Sequence, residues 1–165
     1  MDEEIISVSW DEHIRKRPEM YTDSIRFLVE KLNKNILRQG CVSTSTCEAS
    51  SGMVEFKSDG YKYATFKAVK DGKPTCQLFS DLTTIYTGGS FGEGLFGDSR
   101  CLITWGCTLN ALSTELEVHA WDGESVHQVN FHNSHSEHGC QESGSRYCGL
   151  KLFCVIRPEF RYLFR

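Results

Sequence analysis

Residues 115–131 read ELEVHAWDGESVHQVNF, two runs of alternating apolar and polar residues that meet at Asp122-Gly123. Asp-Gly between such runs is the strongest short-range hairpin signal, because its backbone twist matches that of the flanking strands. The stretch commits this part of the chain to antiparallel sheet. A further strand is predicted in CGLKLFCVI, where Leu150, Leu152, Cys154 and Ile156 alternate. Upstream, residues 42–79 hold β-rich pieces (VSTSTCEAS, MVEFKS, YKYATFKAV and TCQLF) broken by SSG, SDG and KDGKP. They read as a short antiparallel meander.

Two helices accompany these strands. Ile25, Leu28, Val29, Leu32 and Ile36 form one apolar stripe at helical spacing, with Asp23 or Ser24 as cap and Gly40 as stop. Lys31 and Asn35 lie side by side on the flank of that stripe. A second helix is expected in WGCTLNALS, with Trp105, Leu109 and Leu112 on one face. Ahead of both, WDEHIRKRPEMY is short and charged, and Pro18 ends any helix begun at Asp11. Between strands and second helix, TGGSFGEGLFGDSR places Gly88, Gly89, Gly92, Gly94 and Gly97 in one backbone-exposed loop. This order predicts an α+β fold with a mixed, mostly antiparallel sheet covered by helices on one face. Residues 1–165 read as a single domain with no repeat and no linker.

Composition narrows the functional classes. With 39% hydrophobic and 24% charged residues, neither disorder nor a membrane protein is expected, and no apolar run approaches a membrane span. The opening MDEEIISVSW is acidic where a secretory signal would be basic. A net charge of −4 argues against direct nucleic-acid binding. The 8 cysteines contain no C-x-x-C pair and several sit in apolar runs, so a reduced, cytoplasmic protein is expected.

Four landmarks, in order from Glu12 to Phe164, resemble the ATP-binding domain of the gyrase B subunit, in the GHKL ATPase superfamily. EHIRKRPEMYTDS is similar to the arm before that family's first helix, and YTGGSFGEGLFGDS to its lid entrance. LNALSTELEVHAWDGESVHQVNF resembles its V-N-A-L-S helix end and hairpin, and GLKLFCVIRPEFRYLF its closing strand. The resemblance implies a two-layer α/β sandwich with an N-terminal arm at 1–22 and a Gly-rich lid at 88–104. It also implies the ATP-binding layer alone, without the transducer or strand-passage domains of the larger machine.

Carried over residue by residue, the implied site is incomplete. Asn35 matches the family's Mg²⁺-binding Asn, but the general-base position holds Lys31, whose ammonium cannot accept a proton from water. Glu30 points about 100° away round the helix. The adenine-reading Asp falls on Asp59, with Gly60, or on Asp71; both are also ordinary D-G turn signals. Gly88 and Gly89 correspond to the lid entrance. Of the phosphate-cradling glycines only Gly106 remains, with Ile103 and Trp105 beside it. The γ-phosphate Lys of the family belongs to a following domain. The resemblance thus implies a nucleotide-binding domain taking ATP or ADP with Mg²⁺, with little or no hydrolysis and a regulatory or conformational output. A homodimer through the arm is implied too. The alternative is an interaction module, with an unknown protein partner, that kept the fold and lost the ligand.

Two other clusters stand out. His132, His135, His138 and Cys140 are ligand types for zinc, in a loop that also reads as merely polar surface. The tail carries Arg157, Arg161 and Arg165 beside Phe160, Tyr162 and Phe164. It reads either as a partner surface or as aromatics folded back on the sheet.

Overall fold

A computed structural model describes residues 9–63, 67–70, 73–83 and 101–164, with Asn35, 67–70, 73–77, 80–81 and 101–105 given by their backbone. Helix α1 (Trp10–Lys16) ends before Pro18, whose Pro18–Met20 turn of 3-10 helix leads to α2 (Ile25–Arg38). The hydroxyl of Ser24 accepts a hydrogen bond from the Phe27 amide at 3.0 Å, so Ser24 is the cap. At the other end the chain turns at Gly40 with φ +78°, and the Gly40 amide donates to Leu37 O at 2.9 Å. The whole stripe from Ile25 to Ile36 is buried.

Strands β1 (Ser43–Glu48) and β2 (Met53–Asp59) follow as a hairpin, and β3 (Lys67–Lys70) pairs with β4 (Lys73–Cys76) in a separate small sheet. Gly52 turns β1 into β2 with φ +77°, and a Cβ there would stand 2.6 Å from Ile156 O, so no other residue fits. Helices α3 (Gln77–Thr83) and α4 (Cys101–Leu112) come next, then β5 (Ser113–Trp121), β6 (Val126–His132), β7 (Gln141–Glu142) and β8 (Gly149–Ile156). The main sheet has order β1-β2-β8-β5-β6-β7 with every pair antiparallel. The fold is α+β, as expected, with all strand pairs of the described residues antiparallel rather than mixed.

The expected strand in TCQLF ends at Cys76; Gln77 onward is helical because Leu78 and Leu82, four residues apart, are both fully buried. The hairpin between β5 and β6 is where it was predicted, but its tip has four residues. Trp121 pairs with Val126, and Asp122 Oδ1 accepts from the amides of Glu124 and Ser125, each at 2.8 Å.

Alternation sets the layers. Val54, Phe56, Leu116, Val118, Leu150 and Leu152 point to one buried face, which α2 and α4 cover. The opposite face carries the residues between them and has no layer over it among the described residues. The tail folds back: Phe160, Leu163 and Phe164 are buried while Tyr162 is 52% exposed. Arg161 Nη1 donates to Ser50 O at 3.2 Å, tying this tail to the β1–β2 turn.

Candidate functional site

The outer flank of α2 carries the positions expected to meet a nucleotide. Its buried stripe leaves position 31 on the solvent side: Lys31 is exposed, and its Nζ lies 4.6 Å from the centre of the Phe27 ring. Asn35 sits one turn further along the same helix. Glu30, one residue away, is also exposed. The two helix positions expected to meet a nucleotide are thus one turn apart on the same helix, and Lys31 is exposed.

Helix α4 behaves differently. Every residue from Gly106 to Leu112 is buried. Gly106 stands in mid-helix, where its amide lies within the helical ladder rather than at a free N-terminus. A Cβ on it would come 2.6 Å from Leu82 Cδ2, so this glycine lets α3 approach α4 closely. The residue expected to cradle phosphate thus has a packing contact in mid-helix. Of the expected lid at 88–104, residues 101–104 belong to α4, and the rest lies outside the described residues. Gly88 and Gly89 lie outside the described residues.

Residues without an assigned role in the sequence hold this helix in place. Asn110 is 1% exposed; its Nδ2 donates to Leu82 O at 2.9 Å, and its buried Oδ1 has no hydrogen-bond partner among the described residues. The last carbonyls of α4 are all capped. Ser134 Oγ donates to Asn110 O at 3.3 Å, Arg15 Nη1 to Ala111 O at 3.2 Å and the Arg157 amide to Leu112 O at 2.8 Å. Arg15 is itself held by Asp11, 2.6 Å away, and Ile14 beside it is fully buried. The described part of the arm is therefore packed on its own chain. The only hint in sequence was the R-K-R-P stretch, which carries no signal for a helix cap.

Asp59 lies at the end of β2, directly opposite Gly149. The alternation that buries Val54, Phe56 and Ser58 turns Asp59 to the open face, away from the helix that carries Lys31 and Asn35. There its carboxylate accepts a hydrogen bond from the Tyr147 hydroxyl. Burial, and then the Asp59 carboxylate, push that hydroxyl well above its usual range. Lys151 Nζ lies 4.1 Å and Lys57 Nζ 4.9 Å from the centre of the Tyr147 ring. The Gly60 amide donates to Cys148 O at 2.8 Å. Asp59 and Gly60 are thus engaged with the β8 side of the sheet, Asp59 on the face opposite the one that α2 covers. Asp71, the other candidate, lies outside the described residues.

The four zinc candidates do not converge. His132 Nδ1 is 2.5 Å from Glu115 Oε1, and His138 Nε2 is 3.7 Å from Glu137 Oε2. Cys140 is disulfide-bonded, which removes its thiolate as a ligand and also corrects the expectation of cysteines that are all reduced. Among the described residues no group of three or more His, Cys, Asp and Glu side chains is placed to hold a metal ion. Among them too, no helix is long and apolar enough to cross a membrane.

No family model matches the chain, and no curated protein matches it. A solved structure does: the crystal structure of the 43K ATPase domain of Thermus thermophilus gyrase B in complex with an aminocoumarin, at a TM-score of 0.64 and 16% identity. The likeness covers 92% of this chain and 40% of that one, so the chain spans less than half the length of its neighbour. At this identity the likeness shows the fold: a gyrase-B-like α+β sandwich.

Proposed function

We propose that this chain is a gyrase-B-type nucleotide-binding domain that takes ATP or ADP weakly with Mg²⁺ and turns it over little or not at all, its output being conformational or regulatory. The observation that carries the reading is the register of α2. Five buried stripe residues leave positions 31 and 35 together on the outer flank, and position 31 is a lysine. A lysine there attracts phosphate as a point charge and leaves no carboxylate to activate water. Asn35 is the residue to meet the metal. Neither Asp59 nor Gly106 fits the nucleotide, so binding through the described residues rests on the α2 flank alone, and weak affinity follows. Calorimetry with ATP and Mg²⁺ on the wild type and on Asn35→Ala tests this. Heat that disappears in the variant supports the reading; no heat at millimolar nucleotide overturns it.

A second reading is favoured by α4. With Gly106 committed to Leu82 and Asp59 to Tyr147, the same fold serves as an interaction module without a ligand. An arm-mediated homodimer belongs to either reading, through residues ahead of α1, because Ile14 and Arg15 are already engaged within the chain. Sedimentation of a chain lacking its first eight residues tests that contact: an assembly smaller than the wild type's supports it, an unchanged assembly excludes it.

A further inference from the structure

The open face of the main sheet carries two rows of side chains of opposite sign, and their order is fixed by strand register. Residues paired across neighbouring strands point to the same side. One row therefore runs Thr46, Glu55, Phe153, Glu117, Asn130 across β1, β2, β8, β5 and β6. The next row, two residues along each strand, runs Thr44, Lys57, Lys151, His119, Gln128. The rows stand about 7 Å apart, and their members on β1, β2, β8 and β5 line a shallow groove of about 430 Å³. The first row holds two carboxylates flanking Phe153, the second two ammonium groups and an imidazole. None of these ten side chains is buried.

We infer that this face docks a second copy of the same chain, sheet on sheet, about a two-fold axis running between the two rows. Rotation about that axis keeps each residue on its own strand position and exchanges the rows. Thr46 then faces Thr44 of the other copy, Glu55 faces Lys57, Phe153 faces Lys151, Glu117 faces His119 and Asn130 faces Gln128. Each contact occurs twice, as an isologous interface requires. The acid meets base, the aromatic ring meets an ammonium, and amide meets amide. Long Glu and Lys side chains span the roughly 10 Å between stacked sheets. The surface is distinct from the described part of the N-terminal arm, where Arg15 reaches the end of α4.

The complementarity predicts an exchange result that no other surface shares. Wild-type chain is expected to dimerise with rising concentration in sedimentation equilibrium. Glu55→Lys sets Lys against Lys57, and Lys57→Glu sets Glu against Glu55, so each variant alone is expected to weaken the dimer at least about tenfold. Mixing the two variants places all Lys on one copy and all Glu on the other, and the dimer returns. Both sites are exposed, and circular dichroism of each variant verifies the fold before mixing. A wild type that is monomeric at every concentration overturns the inference and leaves the face to another partner. Variants that dimerise like the wild type, or a mixture that stays monomeric, overturn it equally.

Discussion

Helices α2 and α4 both cover the same sheet, yet only one of them has a side left over for chemistry. Helix α2 buries one stripe and keeps Lys31, Lys34 and Arg38 at the surface. Helix α4 is buried throughout from Gly106 to Leu112, gripped by α1 on one side and α3 on the other. Helix α4 is a packing element along this stretch, and its glycine meets Leu82. The difference teaches that a retained motif residue says little until its neighbours are known.

The largest effect expected from breaking this contrast is in the core of α4. Leu109 is 2% exposed, and Leu109→Ala should cost about 2–5 kcal/mol in chemical denaturation, whereas Leu37→Ala on the 66% exposed side of α2 should stay within about 0.5 kcal/mol. Next comes Gly106→Ala. Overpacking against Leu82 costs about 1–3 kcal/mol and improved helix propensity returns up to about 1, leaving a net loss near 1 kcal/mol. In a Leu82→Ala background the same substitution should become neutral or favourable. A double-mutant cycle showing no coupling would remove Gly106 from its packing role. On α2 the matching test is the cap: Ser24→Ala should lose about 1 kcal/mol by leaving the Phe27 amide without its acceptor.

Thiol chemistry sharpens the same contrast without changing stability. Burial pushes the Cys107 thiol on α4 up to about 12, with the Asp11 carboxylate adding to it. At neutral pH it carries almost no thiolate and is enclosed, so it should resist iodoacetamide in the native protein while exposed Cys148 reacts. Mass spectrometry of the alkylated chain checks this. Labelling of Cys107 as fast as Cys148 would mean that α4 is not sealed.

Where the chain was legible, local and global signals agreed. The stripe, cap and closing glycine of α2 each point to one helix, and β8 alternates cleanly enough to place Leu150, Leu152, Cys154 and Ile156 in the core. The misread segment is one where period fails: TCQLF is too short to separate strand from helix, and the deciding Leu82 lies beyond it. For the site, Asp59 was within reach, since MVEFKSD alternates and puts Asp59 opposite Val54, Phe56 and Ser58. Gly106 was not, because its role depends on α3, 24 residues upstream at Leu82. The disulfide at Cys140 was equally hidden, because no spacing of the cysteines marks it.

The smallest structural effect is expected at Lys31, the residue on which the proposed nucleotide site turns. Lys31 is exposed and its contact with the Phe27 ring is a surface one, so Lys31→Glu should move stability by no more than about 0.5 kcal/mol. Its chemical consequence is of another order, since a carboxylate on the flank beside Asn35 supplies a group able to orient and deprotonate water. If a nucleotide docks on α2, steady phosphate release with ATP and Mg²⁺ should rise in Lys31→Glu and fall again in Lys31→Glu combined with Asn35→Ala. If the flank of α2 is only a solvated helix face, release stays at background in all three proteins. That result, with α4 already closed by packing, would leave the interaction module as the reading of this fold.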